Sequence, residues 1–235
     1  MNEFNTLEQA GPDVQRKFIA GVYLKMVFAL AITGVVAFFT EDIYMYLIEK
    51  GIMNLSNYKI FMYAPIVLEL ILVIVLSAAI NKLSPFVAGV MFVLYSVTTG
   101  FSLSFIFQCY DITSVYKVFG VSAAMFLGMT IYGATTKSDL SSAGRYLMMA
   151  LIGLIIMSLL NMFMKSSGLD WILCLVGVGI FVGLTAYDTQ KIMRLAAYSD
   201  GSNNFRKYEI IGALELYLDF INIFIKMLAL FGKRK

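Results

Sequence analysis

Asp188 and Asp219 each lie in an apolar stretch of about 20 residues, the length that crosses roughly 30 Å of hydrocarbon. An ionised carboxylate there costs roughly 3 kcal/mol or more unless it is paired or wetted. Two carboxylates in contact do not both ionise cheaply; they share a proton, and such a pair is a natural pH switch. The chain has no histidine, so a response near neutral pH must come from groups of this kind. Glu69, just after Pro65 in Pro65-Ile66-Val67-Leu68-Glu69, is a third acid in an apolar run, where the proline frees backbone groups and permits a bend.

Around Asp219, the residues Tyr208, Gly212, Glu215, Asn222 and Lys226 follow at spacings of three and four, so they line one helical face. A polar stripe flanked by Phe220, Ile221, Phe224, Ile225 and Leu228 belongs inside a bundle, facing water or other polar groups. Glu215, Asn222 and Lys226 thereby join the two aspartates and Glu69 as candidates for gating or an ion pathway, although bonds to neighbouring helices would use the same residues. By depth, Lys226 is a candidate partner for Glu69. Ahead of Asp188, Gly179 and Gly183 form a small-residue pair that would let the sixth and seventh runs approach closely. Asp219 lies about nine residues, roughly 13 Å, along the last run, so tilt or a ragged helix end is needed to bring it to Asp188.

The elements that must hold these residues follow from composition. Of the 235 residues 60% are hydrophobic and 14% charged, and the mean hydropathy is +0.82; a soluble domain carries roughly 25% charged residues. Seven apolar runs of spanning length fall near Ile19 to Phe39, Ile60 to Ile80, Phe86 to Phe107, Val115 to Ala134, Arg145 to Met164, Trp171 to Gln190 and Ile210 to Phe231. They are too long for barrel strands and do not alternate. The expected fold is therefore an all-α integral membrane protein, with a short cytoplasmic arm over residues 1–18, one seven-helix domain over 19–231 and a basic tail over 232–235. The arm lacks the basic start of a cleaved signal peptide, so the first helix is expected to stay.

Lys and Arg concentrate on the side that holds Arg16, Lys82, Lys137, Arg145, Lys191, Arg194, Arg206 and Lys207, which predicts a cytoplasmic N-terminus in the plasma or inner membrane. Lys25 is expected to snorkel to that surface. Lys233, Arg234 and Lys235 pull the other way and leave a re-entrant last segment as the alternative to a seventh crossing. The net charge of +3 reflects this bias and no nucleic-acid surface. Cys109 and Cys174 both fall near the outer face, where free thiols are the expectation over a disulfide. The hydroxyl-rich third run, with Ser96, Thr98, Thr99, Ser102 and Ser104, suits helix-packing hydrogen bonds. No internal repeat period is visible.

The stretch Leu184 to Gln190, together with Leu216-Tyr217-Leu218-Asp219-Phe220-Ile221-Asn222, resembles the Bax inhibitor family. So do Tyr132-Gly133-Ala134-Thr135-Thr136-Lys137-Ser138-Asp139-Leu140-Ser141, Leu94-Tyr95-Ser96, and Ile152 to Ile156 leading to Asn161. The resemblance runs from the first helix to the last, and the short arm is similar to that of bacterial members. It implies a seven-helix bundle with the last helix central and a pH-sensitive calcium leak, with Asp188 and Asp219 as the proton-sharing pair. It also implies a gating contact between Glu69 and a basic residue late in the last helix. The position where relatives often have arginine is Ala229 here, and Lys226 lies one turn earlier.

On this reading the chain is a passive channel and not an enzyme. Ca²⁺ is the transported ion, bound weakly and transiently by Asp188, Asp219 and Glu69 with several waters retained. No cofactor is expected, and the partners are the bilayer, Ca²⁺ and protons. A regulatory membrane protein that acts through contacts alone is the alternative reading. An intramembrane aspartyl protease would need a Gly-x-Gly-Asp, where this chain has Leu216-Tyr217-Leu218-Asp219; a retinal protein would need an acidic counter-ion that the third run lacks.

Overall fold

The computed structural model describes residues 10–52, 58–80 and 82–235; the first nine residues of the expected arm lie outside it. Among the described residues the chain is helical, and the only β-pairing is an isolated bridge between Tyr110 and Arg234. The helices are α1 (Pro12–Glu49), α2 (Tyr58–Ala79), α3 (Pro85–Leu103), the single turn α4 (Phe105–Cys109), α5 (Ile112–Thr135), α6 (Ser141–Met164), α7 (Ser167–Ala196) and α8 (Asn203–Phe231).

Local chemistry sets the boundaries. Pro12 and Pro85 occupy first-turn positions of α1 and α3, where a missing N–H costs nothing. Ser84, Asp111 and Ser166 cap α3, α5 and α7 by accepting from the backbone N–H three residues on, at 3.2, 3.2 and 3.4 Å. Gly51 and Gly201 take positive φ angles of 67° and 73° at the turns after α1 and α7. Pro65 sits inside α2 without ending it.

Among the described residues five helical segments are long and apolar enough to cross a membrane: α1, the α3–α4 stretch Pro85–Cys109, α5, α6 and α7. The apolar part of α2, Ala64–Ala79, is shorter, and charged and polar residues break up the apolar run of α8. Seven long helices thus match the seven expected runs, and five of them qualify as spans on length and apolarity. The first helix begins at Pro12, so the expected arm is partly helical. Large apolar side chains such as Phe86, Phe163, Met149 and Ile131 point outward, the arrangement of a protein whose solvent is lipid.

The chain divides into two compact units, residues 1–109 with 199–214 and 235, and residues 110–198 with 215–234. In the first unit α3 packs on both α1 and α2. Gly100 permits this: a Cβ there would lie 2.6 Å from Val36 Cβ and 2.9 Å from the Thr33 carbonyl oxygen, and the Thr33 hydroxyl donates to Ser96 O at 2.8 Å. In the second unit α7 packs on both α5 and α6, and α5 meets α8 through edge-to-face contacts of Phe119 and Phe126 with Phe220. The tail residue Lys233 accepts from the Asp111 N–H at 2.9 Å and donates its own N–H to Ser114 Oγ at 2.9 Å. The end of α8 therefore lies beside the start of α5, and α8 runs unbroken over 29 residues. Cys109 and Cys174 are free thiols.

Replacing Gly100 by alanine should destabilise the protein by about 1–3 kcal/mol, because backbone stands in the way. The same change at Gly153, where a Cβ meets open space, should leave the melting temperature of the detergent-solubilised protein unmoved.

Candidate functional site

The second unit concentrates its polar groups where α7 and α8 meet. Asp188 and Asp219 are buried, 9% and 4% exposed, and their carboxyls lie within hydrogen-bonding reach of each other. The 13 Å offset expected from hydropathy limits is thus absent. Both helices extend past those limits, α7 onward to Ala196 and α8 back to Asn203. Thr185, one turn before Asp188 and fully buried, lies within hydrogen-bonding reach of Asp219 and donates to Phe181 O at 2.8 Å. Asp219 Oδ2 is buried with no hydrogen-bond partner. A lone pair in that position is available to a proton, a water or a cation.

Glycines bring the neighbouring helices onto this segment. A Cβ on Gly133 of α5 would run into the Ala186 carbonyl oxygen, with Ala186 Cα only 2.9 Å away, and one on Gly144 of α6 would run into the Tyr187 ring. The backbone leading to Asp188 is therefore held between α5 and α6. The pair expected to admit α8, Gly179 and Gly183, does something else. A Cβ on Gly183 would lie 2.9 Å from the Leu147 side chain of α6, and one on Gly179 would meet nothing within 4 Å. It is Gly177 that receives α8, through the aliphatic stem of Lys226.

Beside the aspartates, Lys191 Nζ pairs with Glu215 Oε1 at 2.6 Å, both groups partly exposed. Lys191 is three residues from Asp188 and Glu215 four from Asp219, so each partner shares a helix face with one aspartate. Sequence reasoning found Glu215 and missed Lys191, which read as a loop base once the sixth run was ended at Gln190; its spacing from Asp188 was the available signal. Thr185, Gly133 and Gly144 were also missed, though Thr185 and Gly133 stand within the stretches that carry the family resemblance.

The α5–α6 connection is fastened to α7 by the buried Gln190 and the exposed Arg194. Gln190 Nε2 donates to Ser138 O at 2.8 Å, and its Oε1 accepts from Leu140 N at 2.9 Å. Arg194 donates to Ser141 Oγ at 2.8 Å and to Asp139 Oδ1 at 2.5 Å. The Arg194 guanidinium, with help from Ser141, holds the exposed Asp139 carboxyl well below the usual carboxylate range. Asp139 accordingly stays ionised through the neutral range.

The other expected site residues are placed differently. Asn222 donates back to Leu218 O of its own helix at 2.8 Å. Glu69, in the first unit, accepts a 2.5 Å hydrogen bond from Ser102 Oγ. The ion pairs among the described residues join Lys25 to Glu209, Lys191 to Glu215 and Arg194 to Asp139, so neither Glu69 nor Lys226 has one. Lys25, expected to snorkel to the inner surface, pairs there with Glu209 at 2.5 Å. Among the described residues no three acidic or cysteine side chains converge to hold a metal ion.

Gln190→Ala should cost about 1–3 kcal/mol, because it strands a backbone donor and a backbone acceptor. Arg194→Gln should cost less than about 1 kcal/mol, because its ion pair is exposed. Thermal unfolding of the two variants side by side checks the order.

Residues 15–235 match the family described as "Inhibitor of apoptosis-promoting Bax1". The Escherichia coli K12 inner membrane protein YbhL is 45% identical over 221 residues, 93% of this chain and 92% of the relative. A protein of Borreliella burgdorferi is 42% identical over 225 residues, 94% of each chain, and the Rickettsia prowazekii protein RP147 is 36% identical over 94% of this chain and 91% of its own. With an all-helical fold whose apolar helices face outward and a similarity that spans nearly its whole length, this chain is a multi-pass membrane protein and belongs to the Bax inhibitor family.

Proposed function

We propose that this protein is a pH-sensitive calcium leak channel of the inner membrane, with its N-terminus cytoplasmic and its conduction controlled by a proton shared between Asp188 and Asp219. The observation that carries this reading is the contact of two buried carboxyls with one oxygen, Asp219 Oδ2, left without a partner. Such a pair accepts either a proton or a hard cation with carboxylate affinity. Too few ligands converge for tight binding, so Ca²⁺ keeps several waters and leaves readily, as a leak requires. The spacing of Lys and Arg along the chain supports the orientation.

The sign follows from charge. At lower pH the pair holds its proton and the helices stay together; as pH rises the proton leaves, the two negative charges repel, and a cation is drawn in or the helices part. Flux should therefore increase with pH. Lys191 holds the charge of Glu215 in an ion pair beside the aspartates, which keeps a third carboxylate from the entering cation. Glu69 serves as a further acid whose orientation is fixed by Ser102.

The test is Ca²⁺ flux into proteoliposomes between about pH 6 and about pH 8. The parent should conduct more at the alkaline end, and Asp188→Asn and Asp219→Asn should each flatten the pH profile. Unchanged flux and profile in both variants would sink the proposal, and equal permeation of K⁺ would remove the calcium selectivity. Lys191→Gln, which frees Glu215, should raise Ca²⁺ flux at neutral pH by up to about five-fold, whereas Lys191→Gln with Glu215→Gln should return it toward the parent.

A further inference from the structure

The first unit contains a groove of about 770 Å³ between α1, α3 and the first turns of α8, large enough for a ligand of lipid size. Its chemistry is divided by level. At one end stand Lys25, Arg206 and Glu209; from there Phe28 continues one turn along α1, and Val93 and Leu94 lie about 13 Å along α3 from Pro85. The apolar wall, including Phe86 and Leu94, is well exposed. Glu209 takes the charge of Lys25 at 2.5 Å, while the exposed Arg206 has no carboxylate partner among the described residues. The three charged groups sum to one net positive charge.

We infer that this groove is a binding site for one anionic glycerophospholipid, its phosphate held by Arg206 and Lys25 and an acyl chain laid along Phe28, Phe86, Val93 and Leu94. Charge complementarity selects the occupant. A lipid-facing crevice needs only an acyl chain to fill it, but a guanidinium that pairs with no carboxylate among the described residues calls for an anion, and phosphate suits its planar donors. Glu209 sets the strength of the site, because it engages the ammonium that would otherwise bind phosphate. A basic side chain that merely snorkels would not respond to the loss of that carboxylate.

The test uses the full chain in detergent, titrated separately with phosphatidylglycerol, with phosphatidylcholine of the same acyl chains, and with inorganic phosphate, and bound lipid counted by native mass spectrometry. Phosphatidylglycerol should bind at least about five-fold more tightly than phosphatidylcholine, Arg206→Gln should weaken it about five-fold, and Glu209→Gln should strengthen it by a similar factor. Gly89→Leu fills the groove at a position where a Cβ meets nothing within 4 Å, so it should exclude the lipid without lowering the melting temperature. Equal binding of the two lipids, or indifference to both charge changes, would overturn the inference. So would displacement by inorganic phosphate alone, which marks a soluble-anion site, or a dimer that lipid does not dissociate, which marks a second copy as the occupant.

Discussion

An acid buried among helices that face hydrocarbon has to be answered by its immediate neighbours, because no bulk water is there to solvate it. In the second unit this requirement organises everything around Asp188 and Asp219. Each is the other's neighbour, Thr185 stands beside Asp219, and a Lys191–Glu215 pair closes the group toward the helix ends. Such a cluster works only if the backbones are close and fixed, and the two glycines on α5 and α6 supply that by meeting Ala186 and Tyr187 directly. The clamp from Gln190 and Arg194 then ties the preceding connection to the same helix.

The first unit answers the same requirement with different groups. Glu69 is met by a serine hydroxyl, Lys25 by Glu209, and Thr33 by a carbonyl of the next helix. Hydroxyls on α3 that bond back to their own helix, as Thr98 and Thr99 do to Tyr95 O, cost the helix little and leave no donor idle. In both units polar groups that stand alone in the sequence are paired in space by residues far along the chain.

Much of this was legible beforehand. Apolar runs of spanning length gave the seven helices, because the period and composition of a lipid-facing helix are set by its solvent. The two aspartates stood out as expensive residues in those runs. What sequence did not convey was pairing. Lys191 looked like a loop residue because hydropathy ends a helix where polarity begins, whereas hydrogen bonding carries α7 on to Ala196. Small residues mark close approach without naming the partner, so Gly183 was assigned to α8 and packs on α6. Lys226 and Glu69 matched in depth, yet depth is one coordinate of three: Glu69 accepts from Ser102, and the stem of Lys226 lies against Gly177.

The consecutive helices α5 and α6 do not pack mainly on each other: both pack on α7, which follows them in the chain. During synthesis α5 and α6 therefore enter the membrane before the surface that unites them exists. The α5–α6 hairpin must hold open a place, lined by Gly133 and Gly144, until α7 is made. Insertion of this protein is then a process of waiting for a third helix, and a chain stalled before α7 presents two helices with unfilled glycine faces to whatever quality control the membrane has.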